Sequence, residues 1–148
     1  YASLRLKNQL CFPLYAVSNM ITRKYKPLLD KLDLTYTQYI VMMVLWEKDH
    51  QTVSEISKRL MLESNTLTPL MQRMEKEGLV VRKKGTADSR QTLVSLTRKG
   101  ARLEEQAKDI PSCMALSLSG CSPSQQQATA MAEALDQLIE LLKKSTAK

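Results

Sequence analysis

Helical apolar spacing over most of the chain, two short β-rich runs around one polar loop, and positive charge gathered on the stretch that carries them predict a mainly α protein with a small β wing. The apolar share, 43% of 148 residues, is that of an ordinary globular chain and suffices for a packed core. The longest apolar run, Tyr39 to Trp46, is too short to span a bilayer and no secretory apolar segment is visible, so a cytoplasmic protein with no membrane partner is expected. Three cysteines, an odd number, occur without CxxC spacing, and there is one histidine. That pattern indicates neither a disulfide scaffold nor a metal site, and no cofactor is implied.

The first element expected is an amphipathic helix from about Asn8 to Tyr25, on which Leu10, Leu14, Val17, Ile21 and Tyr25 recur at helical spacing. Cys11 lies near its start, where a thiol faces the positive end of the helix dipole, the setting that favours a reactive thiolate. Tyr15, four residues on, falls over Cys11 and can offer its hydroxyl to the sulfur. A cysteine in such a place also serves simply as a small core side chain. Pro13, two residues after Cys11, lacks the N–H that an unbroken helix needs, so the helix either begins close to Cys11 or kinks there.

Thr35-Tyr36-Thr37-Gln38 reads as a capping box, opening a largely buried helix through Ile40, Met43, Val44 and Leu45 to Glu47. Asp49-His50-Gln51 follows as a turn, with His50 a solvated turn residue. Thr52-Val53-Ser54-Glu55 is a second capping box, and Val53, Ile56 and Leu60 set one apolar stripe on a short helix that Met61-Leu62-Glu63 interrupts. The next helix starts near Ser64 or Asn65, both good N-cap types. Its core face holds Leu67, Leu70, Met71 and Met74; Asn65, Thr66, Thr68, Gln72, Arg73 and Lys76 point away.

Gly78 ends that helix as its C′ glycine. Leu79 to Lys83 is the first β run, Lys84 to Gln91 a polar loop with Gly85 and Asp88-Ser89-Arg90, and Thr92 to Leu96 the second run. Two short helices followed by such a hairpin form a winged helix-turn-helix. Between Thr52 and Arg102 eleven lysines and arginines stand against five acids, an excess of six out of +7 for the whole chain. Charge placed on the segment whose second helix fits a major groove is the footprint of a protein that displaces counterions from double-stranded DNA. Threonine and asparagine read base edges, arginine and lysine read guanine or phosphate. Ser64, Asn65, Thr66, Thr68, Gln72, Arg73 and Lys76 are the candidate contacts on the helix, and Lys83, Lys84, Asp88 and Arg90 those on the wing.

After the wing, Thr97 caps a long helix with Ala101 or Leu103, Ala107, Ile110 and Met114 on one side, kinked at Pro111. Ser119 to Pro123 breaks the chain, with Ser122 as N-cap and Pro123 opening the last helix. There Ala128, Met131, Leu135, Leu138 and Leu142 make an alternating seam that wants a partner. With the first helix it forms the expected homodimer interface, and two reading heads on one dimer suit a pseudopalindromic operator with half-sites about 34–36 Å apart. Residues 1–34 and 98–148 are thus the helical dimerisation region, and 35–97 the DNA-binding region.

Several of these stretches resemble one family. Leu67-Thr68-Pro69-Leu70-Met71-Gln72-Arg73-Met74-Glu75-Lys76-Glu77-Gly78-Leu79-Val80, with Asp88-Ser89-Arg90 and Val94-Ser95-Leu96-Thr97, is similar to the winged-helix core of the MarR regulators. Asn8 to Ala16, Tyr25-Lys26-Pro27-Leu28-Leu29 and Leu34 to Tyr39 resemble its organic-hydroperoxide-sensing, OhrR-type branch, and the resemblance runs from about Lys7 to Pro111. It implies a repressor, not an enzyme, with Cys11 as the peroxide sensor and Tyr15, Tyr25 and Tyr36 hydrogen-bonding around it. Tyr25 lies fourteen residues beyond Cys11, about 21 Å along a straight helix, so a shared site requires the tyrosine of the other subunit.

In two-cysteine members of the branch a second thiol resolves the sulfenic acid as an intersubunit disulfide. Neither remaining cysteine falls in register with that second thiol; Cys113, which lies within the expected helix, is the candidate, with Cys121 at the turn the alternative, and Cys11 working alone stays open. Two other readings remain: a MarR-type regulator answering a small aromatic ligand, and a thiol peroxidase. Against the latter, Asn8, Ile110 and Leu118 stand three residues before the cysteines, where a peroxiredoxin-type signature needs Thr or Ser.

Overall fold

The computed structural model describes residues 1–9, 11–118, 120 and 124–146. The chain divides into two compact units, Tyr1–Pro111 and Ser112–Lys148. In the first, two short 3-10 turns at Ala2–Leu4 and Leu6–Asn8 precede α1 (Cys11–Leu29). The helix starts at Cys11, not at Asn8, because Asn8 and Gln9 turn their side-chain amides back onto the carbonyls of Ala2 and Ser3, at 2.7 and 2.6 Å. Pro13 becomes the third helical residue, where no backbone donor is needed. Leu10, the first position of the expected stripe, lies outside the described residues. At its other end α1 passes Tyr25 and Pro27 to a buried Leu29, whose carbonyl accepts the N–H of Leu34 at 3.1 Å across a 3-10 turn.

α2 (Tyr36–Glu47) opens on the expected capping box: Gln38 N–H donates to Thr35 Oγ1 and Thr35 N–H to Gln38 Oε1. Its buried face is Tyr39, Val41, Met42, Val44 and Leu45, while Met43 is exposed and Ile40 only half-buried. The helix is apolar nearly all round, so spacing could not choose the face; packing did. Gln51, expected in the turn, is instead buried in β1 (Gln51–Thr52), its amide donating to the carbonyls of Val44, at 3.0 Å, and Lys48. The turn itself is Asp49-His50, with His50 exposed at φ 56° and the Asp49 carboxylate accepting the N–H groups of His50 and Leu96.

α3 (Val53–Leu60) begins with the second capping box, Glu55 N–H to Thr52 Oγ1 and Thr52 N–H to Glu55 Oε2. Met61 ends it in the left-handed region. α4 (Ser64–Lys76) has Glu63 as its N-cap, without a side-chain bond, so neither Ser64 nor Asn65 caps it; Ser64 is the first helical residue. Leu67, Leu70, Met71 and Met74 are its buried positions, as their spacing predicts. Gly78, at φ 72°, then takes the left-handed conformation that lets the chain turn into the sheet.

β2 (Val80–Lys84) and β3 (Thr92–Leu96) pair antiparallel, Val80 opposite Leu96 and Lys84 opposite Thr92, so Lys84 belongs to the strand rather than the loop. β1 adds to the other edge of β3, giving the order β1-β3-β2. α5 (Arg98–Ala107) is capped by Thr97, which accepts the Gly100 N–H at 3.0 Å. Gly100, Leu103 and Ala107 are its buried residues, so of the two alternatives Leu103 rather than Ala101 lies on the core side.

The expected single long helix is interrupted at Lys108-Asp109, and α6 (Ile110–Leu118) carries Pro111 in its first turn. A proline there lacks the N–H for the Ala107 carbonyl and its ring would press against it, so the chain restarts the helix instead of bending it. In the second unit α7 (Gln125–Thr146) begins with Ser124 and Gln127 exchanging the two bonds of a capping box, at 2.9 and 3.2 Å. Ser122 and Pro123, expected to open it, lie outside the described residues. Among the described residues no helix is long and apolar enough to cross a membrane.

Candidate functional site

Two groups of candidate residues sit in the first unit, one around α1 and α2, the other around α4 and the hairpin. Cys11 is the first residue of α1, and its side chain is exposed with a free thiol. Tyr15, one turn later, is 66% exposed, and no hydrogen bond joins its hydroxyl to Cys11 among the described residues. Cys11 and Tyr25 are therefore held apart on one rigid helix, and within a chain the expected pocket is not assembled.

What the chain does assemble is an aromatic cluster. The Tyr25 ring stands 5.0 Å from Tyr36, the first residue of α2, and 5.9 Å from Tyr39; Tyr39 in turn meets Trp46 edge-on at 6.3 Å. These are the tilted and edge-to-face separations that aromatic quadrupoles favour. Burial, and then the neighbouring phenols, push the Tyr25 and Tyr39 hydroxyls above the usual phenol range, so both remain O–H donors at neutral pH. Sequence reading missed Tyr39 and Trp46. The signal was present, since Tyr39 lies three residues after Tyr36 and so shares its helix face.

Cys113 is exposed on α6, in the second unit. Cys121 lies outside the described residues.

The second group is an exposed polar and basic face. Ser64, Asn65, Thr66, Thr68, Gln72, Arg73 and Lys76 are all exposed along α4. Thr68 donates its hydroxyl to the Ser64 carbonyl at 2.8 Å, which fixes its rotamer. Lys83 and Lys84 are exposed on β2. Arg90, 90% exposed by side chain, donates from its backbone N–H and its Nε to Asp88 Oδ1 at 3.0 and 3.1 Å, and the arginine holds the Asp88 carboxyl below the usual range. The hairpin tip is closed further by Gly85 N–H to the Gln91 carbonyl and Gln91 N–H to that of Asp88. A recess of about 260 Å³ between the start of α3, α4 and the hairpin is lined by hydroxyl and guanidinium groups of Thr52, Thr68, Arg82 and Arg90 and by the apolar side chains of Val53 and Met71.

One clamp that sequence reading missed fixes the angle between α4 and the hairpin. Arg82 on β2 donates its backbone N–H to Glu75 Oε1 and its Nε to Oε2, both at 2.9 Å. These bonds hold the Glu75 carboxyl below its ordinary value. The pair lies on two different elements joined by a turn, so no single helix or strand period brings it together.

Comparison with known proteins agrees with this architecture. Over 108 residues the chain is 52% identical to the organic hydroperoxide resistance transcriptional regulator of Bacillus subtilis (strain 168), a match covering 73% of this chain and 74% of that one. AbfR of Staphylococcus epidermidis, solved reduced and bound to DNA, superposes with a TM-score of 0.75 at 35% identity, over 95% of this chain and 97% of that one. A MarR-like transcription regulator from Bacillus cereus ATCC 10987 superposes with a TM-score of 0.74 at 25% identity, over 89% and 95%. The family profile of the SarA/Rot transcriptional regulators matches residues 23–107. With that profile spanning more than half of its length and the winged helix in place, this chain belongs to the SarA/Rot family of MarR-like transcriptional regulators.

Proposed function

We propose that the protein is a redox-sensing transcriptional repressor that leaves its operator when an organic hydroperoxide oxidises Cys11. The observation that carries this reading is the presence, in one chain, of an exposed thiol opening α1 and an exposed polar and basic face on α4. The Bacillus subtilis relative is by name a regulator of organic hydroperoxide resistance, which supplies the class of oxidant. AbfR has been solved reduced on DNA and also in a disulfide form, which supplies the two states.

The reduced protein acts as a homodimer in the cytoplasm. Its dimerisation region is formed by residues 1–34 and 98–148, and residues 35–97 read a pseudopalindromic operator. Ser64, Asn65, Thr66, Thr68, Gln72, Arg73 and Lys76 enter the major groove on α4. Lys83, Lys84 and Arg90, the last oriented by Asp88, reach the neighbouring phosphates or minor groove. Tyr25 and Tyr36 of one subunit, with Tyr15, surround Cys11 of the other and donate hydrogen bonds to its sulfur.

The hydroperoxide gives its terminal oxygen to the Cys11 thiol, which becomes a sulfenic acid, and leaves as the alcohol. A second thiol, Cys113 or, failing that, Cys121, then displaces the hydroxyl from sulfur as water, closing a disulfide to the other subunit. The sulfur no longer accepts the tyrosine bonds, and the dimer settles into a spacing that fits both half-sites poorly. A coupling of about 3 kcal/mol between oxidation and DNA corresponds to roughly a hundredfold or more in operator affinity.

Gel-shift titration of the Cys11→Ser protein with cumene hydroperoxide tests the reading. The variant should bind operator as the parent does and stay bound when peroxide is added. Release of Cys11→Ser at the parent's dose would overturn it.

A further inference from the structure

The redox reading makes no use of a hydrogen bond that crosses from the start of α2 to the end of α4. The Gln38 side chain is 4% exposed, and both ends of its amide are engaged. Its Oε1 accepts the Thr35 N–H at 2.9 Å, and its Nε2 donates to Glu77 Oε2 at 2.7 Å. A capping box needs only the acceptor, which glutamate supplies as well as glutamine. The amide adds a donor, and that donor goes to a residue 39 positions away.

Both neighbours of this bond matter. Tyr36, two residues before Gln38, is the first residue of α2 and carries the ring packed on Tyr25. Glu77 closes α4: its N–H donates to the Arg73 carbonyl at 2.9 Å, and its own carbonyl accepts Lys99 Nζ from α5, also at 2.9 Å. The reading helix is thus gripped at its last turn by two side chains, Gln38 from α2 on the Glu77 carboxylate and Lys99 from α5 on the Glu77 carbonyl.

We propose that Gln38 is a positioning residue that passes a displacement of the Tyr36 end of α2 to the reading helix, and so couples oxidation of the thiol to release of DNA. The inference rests on the proposed function, in which Tyr25 and Tyr36 belong to the thiol pocket. At 2.7 Å the bond is at the short end of the N–H···O range, so it stays made while its two ends move together and breaks only if they part by several tenths of an ångström or more. A buried amide has no water to take its place, so the bond resists parting. Because α2 and α4 are regular helices, a shift at Tyr36 is carried to Glu77 with little slack. With the hairpin clamped to α4 through Glu75 and Arg82, a pull at Glu77 turns the reading face and the wing together.

The test uses Gln38→Glu, Glu77→Ala and the exchanged pair Gln38→Glu/Glu77→Gln in the full chain. Gln38→Glu keeps the capping box but sets one carboxylate against another; the exchanged pair restores a single donor and acceptor with their roles reversed. Glu77 is exposed, so Glu77→Ala removes the same bond without burying anything new. Operator affinity is measured before and after cumene hydroperoxide, and the loss of the free Cys11 thiol is followed in parallel.

All variants should lose the thiol at the parent's rate. The parent's affinity should fall about a hundredfold or more on oxidation, that of Gln38→Glu and Glu77→Ala should change less than about threefold, and the exchanged pair should regain the parent's response. Full release from Glu77→Ala, or an exchanged pair no better than Gln38→Glu, overturns the relay. If Cys11→Ser is itself released by peroxide, it is the redox reading that has failed, and the two failures are told apart.

Discussion

Gly100 sits with its bare Cα against the Leu79 carbonyl, and a Cβ built there would lie 2.2 Å from that oxygen. The same carbonyl accepts the Thr97 N–H and hydroxyl, each at 3.1 Å, and Gly100 O accepts Trp46 Nε1 at 3.0 Å. Backbone, not a movable side chain, meets the added methyl. Gly100→Ala should therefore cost about 1–3 kcal/mol of stability, read as a lower urea midpoint at unchanged slope. Glu75 makes the second prediction. Its carboxyl is held below the ordinary value by the Arg82 backbone and side chain, so its folded-state pKa is depressed. The stability it contributes is then fully present above the ordinary carboxylate value and is lost as the pH falls from there through the depressed folded-state value. Denaturation midpoints of the parent and Glu75→Gln should differ at pH 7 and converge below the ordinary 4.5. Thr35, Thr52, Gln38 and Glu55 were legible at this scale because a capping box is a four-residue pattern. The Glu75–Arg82 clamp was not, because only the return of β2 alongside α4 brings those side chains together.

On α4 the apolar spacing put Leu67, Leu70, Met71 and Met74 inside, and each is buried. With the inward face settled, the outward one follows, and Arg73 and Lys76 are exposed in its last turn. If they meet phosphates, Arg73→Ala and Lys76→Ala should each lower the slope of log affinity against log salt by about 1, with little change in base preference. A titration across several salt concentrations measures this, and an unchanged slope would place the two side chains away from the DNA. The elements that sequence reading misjudged share a cause. α2 is apolar on nearly every side, so no period marks its core face. The boundaries at Cys11, Glu63 and Lys108 are set by competing local bonds and by proline sterics, which spacing does not encode.

At the scale of the molecule, apolar side chains stand exposed on both terminal elements. Phe12, Val17 and Met20 are exposed on α1, and Met131 and Leu135 on α7. A chain that leaves two such helices uncovered has a use for a second copy of itself. Leu135→Glu should place a charge in the seam and shift the protein to monomer by sedimentation, with operator binding falling to that of a single half-site. A dimer that survives the substitution would move the interface off α7.

The sequence by itself determined the helices of the reading head, the wing and the positive charge that surrounds them, since each follows from spacing, capping or composition within a few residues. Tertiary structure alone decided that β1 joins the sheet, that Tyr25, Tyr36 and Tyr39 form one cluster, and that Gln38 reaches Glu77. The physical reason is range. Local patterns record which backbone state and which face each residue prefers, whereas a hydrogen bond between positions 38 and 77 exists only once two helices have packed and buried the Gln38 amide against the end of α4.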